Sequence, residues 1–383
     1  MLDIDQAVRD RYRGAAGARE EALCCPVSYN PRLLEAIPVE VLERDYGCGD
    51  PSGYVREGDI VLDLGSGSGK ICFIAAQIAG PTGRVIGVDA NDEMLALARR
   101  AAPLVAVRIG YENTRFVRAR IQDLRLDLEA LDERLGERPV SNGVELAAID
   151  AWADRLRAER PLVADSSVDI VVSNCALNLV RPQDKPALVR EIFRVLRPGG
   201  RIAISDIVAD EAVPDRLRGD PELWSGCVSG AFEERELLAE LEAAGFYGLA
   251  LDKWESEPFR VVDGIEFRSV TVTGRKGKEG ACHEGNQAVV YRGPWRQVED
   301  DDGHVFRRGE RVAVCRKTFR ILTSEPYVAD LIAIEPRVAV PDAEQRPFDC
   351  SRPVRRSPRE TKGEGYDRTT PAASACCGPD TGC

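Results

Sequence analysis

Val61-Leu62-Asp63-Leu64-Gly65-Ser66-Gly67-Ser68-Gly69 reads as a buried strand that runs into a glycine-rich turn, and residues 70–79 continue it as a helix. Glycines at 65, 67 and 69 let the backbone turn tightly and approach a ligand with no Cβ in the way. Outward from this stretch, residues 60–207 alternate short β-branched runs with longer helical segments, the pattern of a doubly wound α/β domain. The spacing predicts strands at 60–64, 84–89, 115–118, 168–173 and 201–206, with helices at 70–79, 92–101 and 185–196. Each strand is a continuous apolar run, as expected where helices cover both faces of a sheet.

The chain has 383 residues, 44% hydrophobic and 30% charged, the balance of an ordinary globular protein. Its formal net charge of −12 argues against a partner with a phosphate backbone, so no nucleic acid is expected. No apolar run approaches a membrane span, and the first residues lack a signal core; the expected compartment is the cytoplasm, and the expected state a monomer. Twelve cysteines in a reducing compartment are a chemical question rather than a disulfide framework. With only two histidines, catalysis built on a histidine base is poorly supplied.

The expected organisation is a helical segment at 1–45, a cofactor domain at 46–211 with a helical insertion at 126–164, and a helix-then-strand region at 212–280. A small β-rich module follows at 281–340, with a hairpin turn in the acidic run 299–303. The Pro-, Arg- and Ser-rich residues 341–383 read as a flexible tail that carries Cys376, Cys377 and Cys383.

A second strand ends in Val85-Ile86-Gly87-Val88-Asp89, which places an acid where it can accept hydrogen bonds from both ribose hydroxyls of an adenosine. Dinucleotide sites space their glycines G-x-G-x-x-G so that a pyrophosphate can sit on the helix N-terminus. Here the spacing is G-x-G-x-G behind the acidic Asp63. A carboxylate at that place repels pyrophosphate and suits the ammonium of a methionine moiety. Together with Val195-Leu196-Arg197-Pro198-Gly199-Gly200, the arrangement resembles the seven-stranded, Rossmann-like class of S-adenosylmethionine methyltransferases. That resemblance assigns cofactor binding to Asp63, Gly65, Ser66, Gly67 and Asp89, and by position to Met94, Ile121 and Asn174.

Methyl transfer from a sulfonium needs an aligned nucleophile and little else. Cys48, Cys72, Cys175 and Cys227 stand where the fold places its crevice, outside the carboxyl ends of the strands. Any one of them alone reads as a small buried hydrophobe, Cys72 above all. Their spacing matches no zinc finger or ribbon. Cys24, Cys25, Cys282, His283, Cys315 and Cys350 receive no role from the sequence.

The cysteine-bearing pieces make the resemblance narrower. Tyr46-Gly47-Cys48-Gly49, the glycine turn with Cys72, Ser173-Asn174-Cys175 with Asn178-Leu179-Val180, and Trp224 with Cys227 and Gly230-Ala231 are similar to the arsenite S-adenosylmethionine methyltransferase family, as is the Cys376-Cys377-Gly378…Cys383 end. This implies As(III) held by Cys175 and Cys227, with Cys48 and Cys72 completing the thiolate set or forming a disulfide during turnover. It also implies a thiol reductant, thioredoxin or glutathione. The chain departs from the family at Lys70-Ile71-Cys72-Phe73 and at Gly226, and in its 126–164 insertion. Two other readings stay open on residues alone: a methyltransferase for an organic acceptor, and a thiol protein that sequesters arsenite without turnover.

Overall fold

The computed structural model describes residues 4–17, 20, 27–344, 346–351, 355–363 and 366; Cys24, Cys25, Cys376, Cys377 and Cys383 lie outside them. The chain divides into two compact units, Met1–Gly277 and Lys278–Cys383.

In the first unit the helices are α1 (Ile4–Gly17), α2 (Pro31–Leu34), α3 (Val39–Glu43), α4 (Lys70–Ala79), α5 (Asp92–Ile109), α6 (Leu128–Glu137), α7 (Gly143–Glu159), α8 (Lys185–Val195), α9 (Asp215–Arg218), α10 (Pro221–Ser225) and α11 (Glu234–Ala243). The strands are β1 (Ile60–Leu64), β2 (Arg84–Asp89), β3 (Thr114–Arg118), β4 (Val168–Asn174), β5 (Leu196–Ala209), β6 (Phe232–Glu233), β7 (Tyr247–Trp254), β8 (Arg260–Val262) and β9 (Ile265–Arg275). They form one sheet in the order β3-β2-β1-β4-β5-β9-β7, with β6 beside β5 and β8 beside β9. The five strands from β3 to β5 are parallel, and β9 runs antiparallel to β5. This is the expected seven-stranded path, enlarged to nine strands by two short additions. Strand order reverses between β1 and β4, and such a reversal opens a ligand crevice at the carboxyl ends of the strands.

The sheet is buried on both faces. Leu62, Leu64, Val171 and Ile204 pack under α8 and α11, while Val61, Val85, Ile170 and Ala203 pack under α4 and α5. Two local expectations needed correction, and the helical insertion was found as two helices. The helix expected at 92–101 runs on to Ile109 through Pro103; the missing proline N–H is offset by burial of Ala101 and Val105. The strand β7 went unanticipated, because most of its residues face solvent and lack an apolar run. The insertion resolves into α6 and α7, each started by a side-chain cap, from Asp127 and Asn142.

The second unit contains β10 (Ala288–Tyr291), β11 (Gln297–Glu299), β12 (Val305–Arg307), β13 (Arg311–Ala313), α12 (Arg316–Leu322), β14 (Leu331–Ile334) and α13 (Pro358–Lys362). A three-stranded sheet β13-β10-β14 and the hairpin β11-β12 surround Val289, Phe306, Phe319 and Leu322. The tail expected from 341 onward is not uniformly loose. Arg356 is 5% exposed and pairs with Glu284 at 2.6 Å, and Thr361 on α13 is buried. A buried guanidinium with its partner is structure that composition alone cannot show.

Candidate active site

The turn after β1 is built on left-handed backbone at Gly65, Gly67 and Gly69, with φ of 73°, 51° and 92°. Non-glycine residues are strained there. A Cβ on Gly65 would lie 2.3 Å from the Ala176 Cβ, so the turn presses directly against the residue that follows Cys175. A Cβ on Gly67 would meet nothing within 4 Å, which leaves that side of the turn open. The Gly67 amide donates to Asp89 Oδ2 at 2.8 Å and the Asn91 amide to Oδ1 at 2.8 Å, so Asp89 locks the turn to the end of β2. Burial raises the Asp89 carboxyl above the ordinary carboxylate range, against those backbone donors.

Asp63 is 1% exposed, and burial pushes its carboxyl up to about 7. Its Oδ2 accepts a hydrogen bond from the Cys72 thiol at 3.1 Å, while Oδ1 is buried without a partner, as is Ser66 Oγ. A buried polar atom lacking a partner costs about 1–3 kcal/mol, and a ligand group that supplies the missing bond removes that cost. An acceptor of raised basicity beside an open glycine turn fits the ammonium of a methionine moiety, and Asp89 fits the ribose. The residues present therefore suit S-adenosylmethionine.

The other predicted cofactor residues divide. Met94 is buried with Ala15 and Ala16 of α1, beside Tyr12 and Tyr46. Ile121 is buried in the main core. Asn174 has its amide engaged elsewhere: Oδ1 accepts from the Cys48 and Gly49 amides at 2.9 and 3.0 Å, and Nδ2 donates to the Gly49 carbonyl at 2.8 Å. A Cβ on Gly47 would fall 2.0 Å from Asn174 Nδ2, so only glycine admits this clamp. Asn174 thus fastens the Cys48 loop onto the end of β4.

That clamp brings Cys48 to Cys175, and the two form a disulfide with Cα atoms 6.0 Å apart. Cys227 packs in the same apolar cluster as both, with Val213, Leu223 and Val228, and its thiol donates to the Cys175 carbonyl at 3.1 Å. Cys175 and Cys227 have φ of 57° and 60°. Left-handed backbone is costly for non-glycine residues, and here the surrounding packing holds two of them in it at one place. The structure therefore joins Cys48, Cys175 and Cys227. Cys72 belongs to a different cluster, with its thiol on Asp63 beneath the cofactor turn. Burial, and then the Asp63 charge, raise the Cys72 pKa well above that of an ordinary thiol, which disfavours it as a ready thiolate.

Two further residues gave no usable signal in the sequence. Asp206, at 1% exposure near the carboxyl end of β5, accepts from the Leu177 and Ile207 amides at 2.9 and 2.8 Å. Its carboxylate oxygen lies within 4.8 Å of the Cys48 and Cys175 sulfurs, and burial pushes it up to about 6. Tyr12 on α1 brings its hydroxyl to 3.7 Å from Cys227 Sγ, and burial keeps that phenol protonated. The adjacent Arg11 holds α1 to α10 through the Glu222 carbonyl at 2.9 Å and Ser225 Oγ at 3.0 Å. Among the described residues no helix is long and apolar enough to cross a membrane.

Comparison with known proteins agrees with this geometry. A family described as a methyltransferase domain matches residues 56–133 and 153–245, and a domain of unknown function matches 278–366. An arsenite methyltransferase of Aquipseudomonas alcaligenes is 33% identical over 317 residues, 78% of this chain and 81% of that protein. The arsenite methyltransferase of Homo sapiens is 28% identical, over 78% of this chain and 73% of that one. The crystal structure of an arsenic(III) S-adenosylmethionine methyltransferase from Chlamydomonas reinhardtii superposes with a TM-score of 0.56 at 26% identity, covering 85% of this chain and all of that one. A glycine turn shaped for S-adenosylmethionine, a cysteine cluster against its wall, and a relative of such identity across most of both chains lead to one assignment: the chain belongs to the arsenite methyltransferase family.

Proposed function

We propose that the protein methylates trivalent arsenic held on its own thiolates, with S-adenosylmethionine as donor. The observation that carries this reading is the convergence of Cys48, Cys175 and Cys227 in one buried cluster whose next residue, Ala176, forms the wall of the cofactor turn. Thiolates are soft donors and retain a soft ion where oxygen ligands release it. Bound S-adenosylmethionine supplies an electrophilic methyl group. The protein's part is to hold the nucleophile in place and dry, in the apolar cluster that contains Val213, Leu223 and Val228.

Cys175 and Cys227 are the arsenic ligands in this reading, and Cys48 is the redox partner. Use of the arsenic lone pair raises arsenic from the trivalent to the pentavalent state, so two electrons must return to it. Cys48 and Cys175 supply them when their thiolates close into a disulfide, and a dithiol of the thioredoxin type, or two molecules of glutathione, reopens that bond by exchange. The Cys48–Cys175 disulfide corresponds to the oxidised resting form, and arsenite loads only after reduction. A reducing cytoplasm suits such a cycle.

The test is to incubate the purified protein with arsenite, S-adenosylmethionine and a thiol reductant, and to separate the arsenic species chromatographically. Methylated arsenic is expected only when all three are present. Cys175→Ser and Cys227→Ser should each lower the product at least a hundredfold while cofactor affinity stays within about threefold. Product that survives either substitution would refute the ligand assignment.

A further inference from the structure

The C-terminal unit holds three cysteines that methyl transfer does not use. Cys315 is fully buried, Cys282 and Cys350 are half-buried, and their sulfur atoms all lie within 4.8 Å of one another. They arrive from three separate segments that backbone hydrogen bonds set side by side. The Phe348 amide donates to the Cys282 carbonyl at 2.9 Å, the Glu284 amide to the Arg346 carbonyl at 2.8 Å, and the Arg316 amide to the His283 carbonyl at 2.9 Å. The segment of Cys282 is thus paired on both flanks. Arg356 braces it further, with an ion pair to Glu284 at 2.6 Å and a hydrogen bond to the Gln287 carbonyl at 3.3 Å. Such a frame holds the donors in place before any ion arrives, which lowers the ordering cost of binding.

Donors also gather on one sulfur. The Thr318 amide reaches Cys315 Sγ at 3.3 Å, and the Thr318 hydroxyl lies 3.2 Å from it.

We propose that Cys282, Cys315 and Cys350 form a second soft-ion site, which binds As(III) as a three-thiolate complex. The donor count favours arsenic over zinc. A structural zinc site closes with four protein ligands, whereas among the described residues no histidine, carboxylate or fourth cysteine joins these three. Trivalent arsenic carries a lone pair, sits at the apex of a pyramid on three donors, and asks for no fourth. For a metal–sulfur bond of about 2.3 Å and pyramidal angles of roughly 100°, three thiolates around one ion stand about 3.5 Å apart, so sulfurs within 4.8 Å of one another need to contract by at most about 1.3 Å. Binding is a ligand exchange without redox change: three As–O bonds of arsenous acid break, three As–S bonds form, and the three thiol protons leave with the three hydroxides as water. The choice of arsenic among soft ions rests on the substrate reading above.

The test is differential alkylation of the full-length protein, kept reduced with a phosphine. Each cysteine is followed by peptide mass spectrometry with arsenite, with zinc(II), and with neither. Arsenite should slow alkylation of Cys282 and Cys350 at least tenfold, and zinc should slow it far less. In Cys315→Ser that protection should be lost, while Cys175 and Cys227 stay protected. Cys350→Ser, at a half-exposed position, should unprotect Cys282 in the same way and covers the case in which loss of Cys315 impairs folding. Equal alkylation with and without arsenite, or protection by zinc but not arsenite, would overturn the proposal. Protection of the trio in a protein that makes no methylated arsenic would uphold this site and refute the substrate reading. Methylated product with an unprotected trio would do the reverse.

Discussion

At the scale of single residues, the site depends on acids whose burial keeps them basic. Asp63 rises from an ordinary value of 3.8 to about 7, so without ligand the folded protein keeps a proton that the unfolded chain releases from about pH 4 upward. The sign follows: this group adds nothing to instability below about pH 4, and its cost grows as pH rises toward 7. An ammonium placed beside Asp63 favours the carboxylate and reverses that preference. S-adenosylmethionine affinity should therefore climb roughly tenfold per pH unit between about pH 5 and 6.5, level off above about pH 7.5, and bind with proton release. Titration calorimetry in buffers of different ionisation enthalpy measures both quantities. Asp63→Asn should weaken binding and flatten the profile; an unchanged slope in that variant would remove Asp63 from the cofactor site. The glycine turn was legible in the sequence because glycines spaced in this way take positive φ as a matter of local backbone conformation, as Gly65, Gly67 and Gly69 do. What the sequence did not show of Asn174 is its hold on the Cys48 loop, since its partners Cys48 and Gly49 lie about 125 residues away.

At the scale of elements, α1 is the piece that sequence patterning undervalued. It contributes Tyr12 beside Cys227, packs Ala15 and Ala16 on Met94, and is held to α10 by Arg11. It therefore covers both the residue expected near the adenosine and one of the proposed arsenic ligands. Removal of residues 1–17 should leave the sheet folded, with far-ultraviolet circular dichroism nearly unchanged, because the sheet core lies under α4, α5, α8 and α11. Methyl transfer should fall by at least tenfold as water enters the crevice. Full turnover by the truncated protein would show that α1 is only packing. The more conservative Tyr12→Phe removes one hydrogen bond to sulfur, worth on the order of 1 kcal/mol, and should slow turnover by about fivefold without altering cofactor affinity. A helix with charged residues scattered through it gives no sign of the surface it will cover, and that surface is assembled from Met94 on α5 and from Cys227 beyond α10, far apart in the chain.

At the scale of the whole molecule, the chain is two units that meet at Gly277, and the first contains every residue of the proposed methyl-transfer site. A protein ended at Gly277 should fold, melt cooperatively and bind S-adenosylmethionine within about threefold of the full chain; failure to fold would show that the first unit needs the second. The sequence alone determined the α/β class, the strand–turn–helix around Gly65–Gly69, and the acids Asp63 and Asp89 on the two strands beside it. All of these are written in short-range signals: apolar runs, glycines that must take positive φ, and acids at strand ends. Only the tertiary structure decided which cysteines act together. It joined Cys48 to Cys175 across 127 residues, turned Cys72 toward Asp63 instead, and gathered Cys282, Cys315 and Cys350 from a stretch that read as incidental. The physical reason is that a thiol has little local preference, and its neighbours are set by strand order and backbone pairing between distant segments.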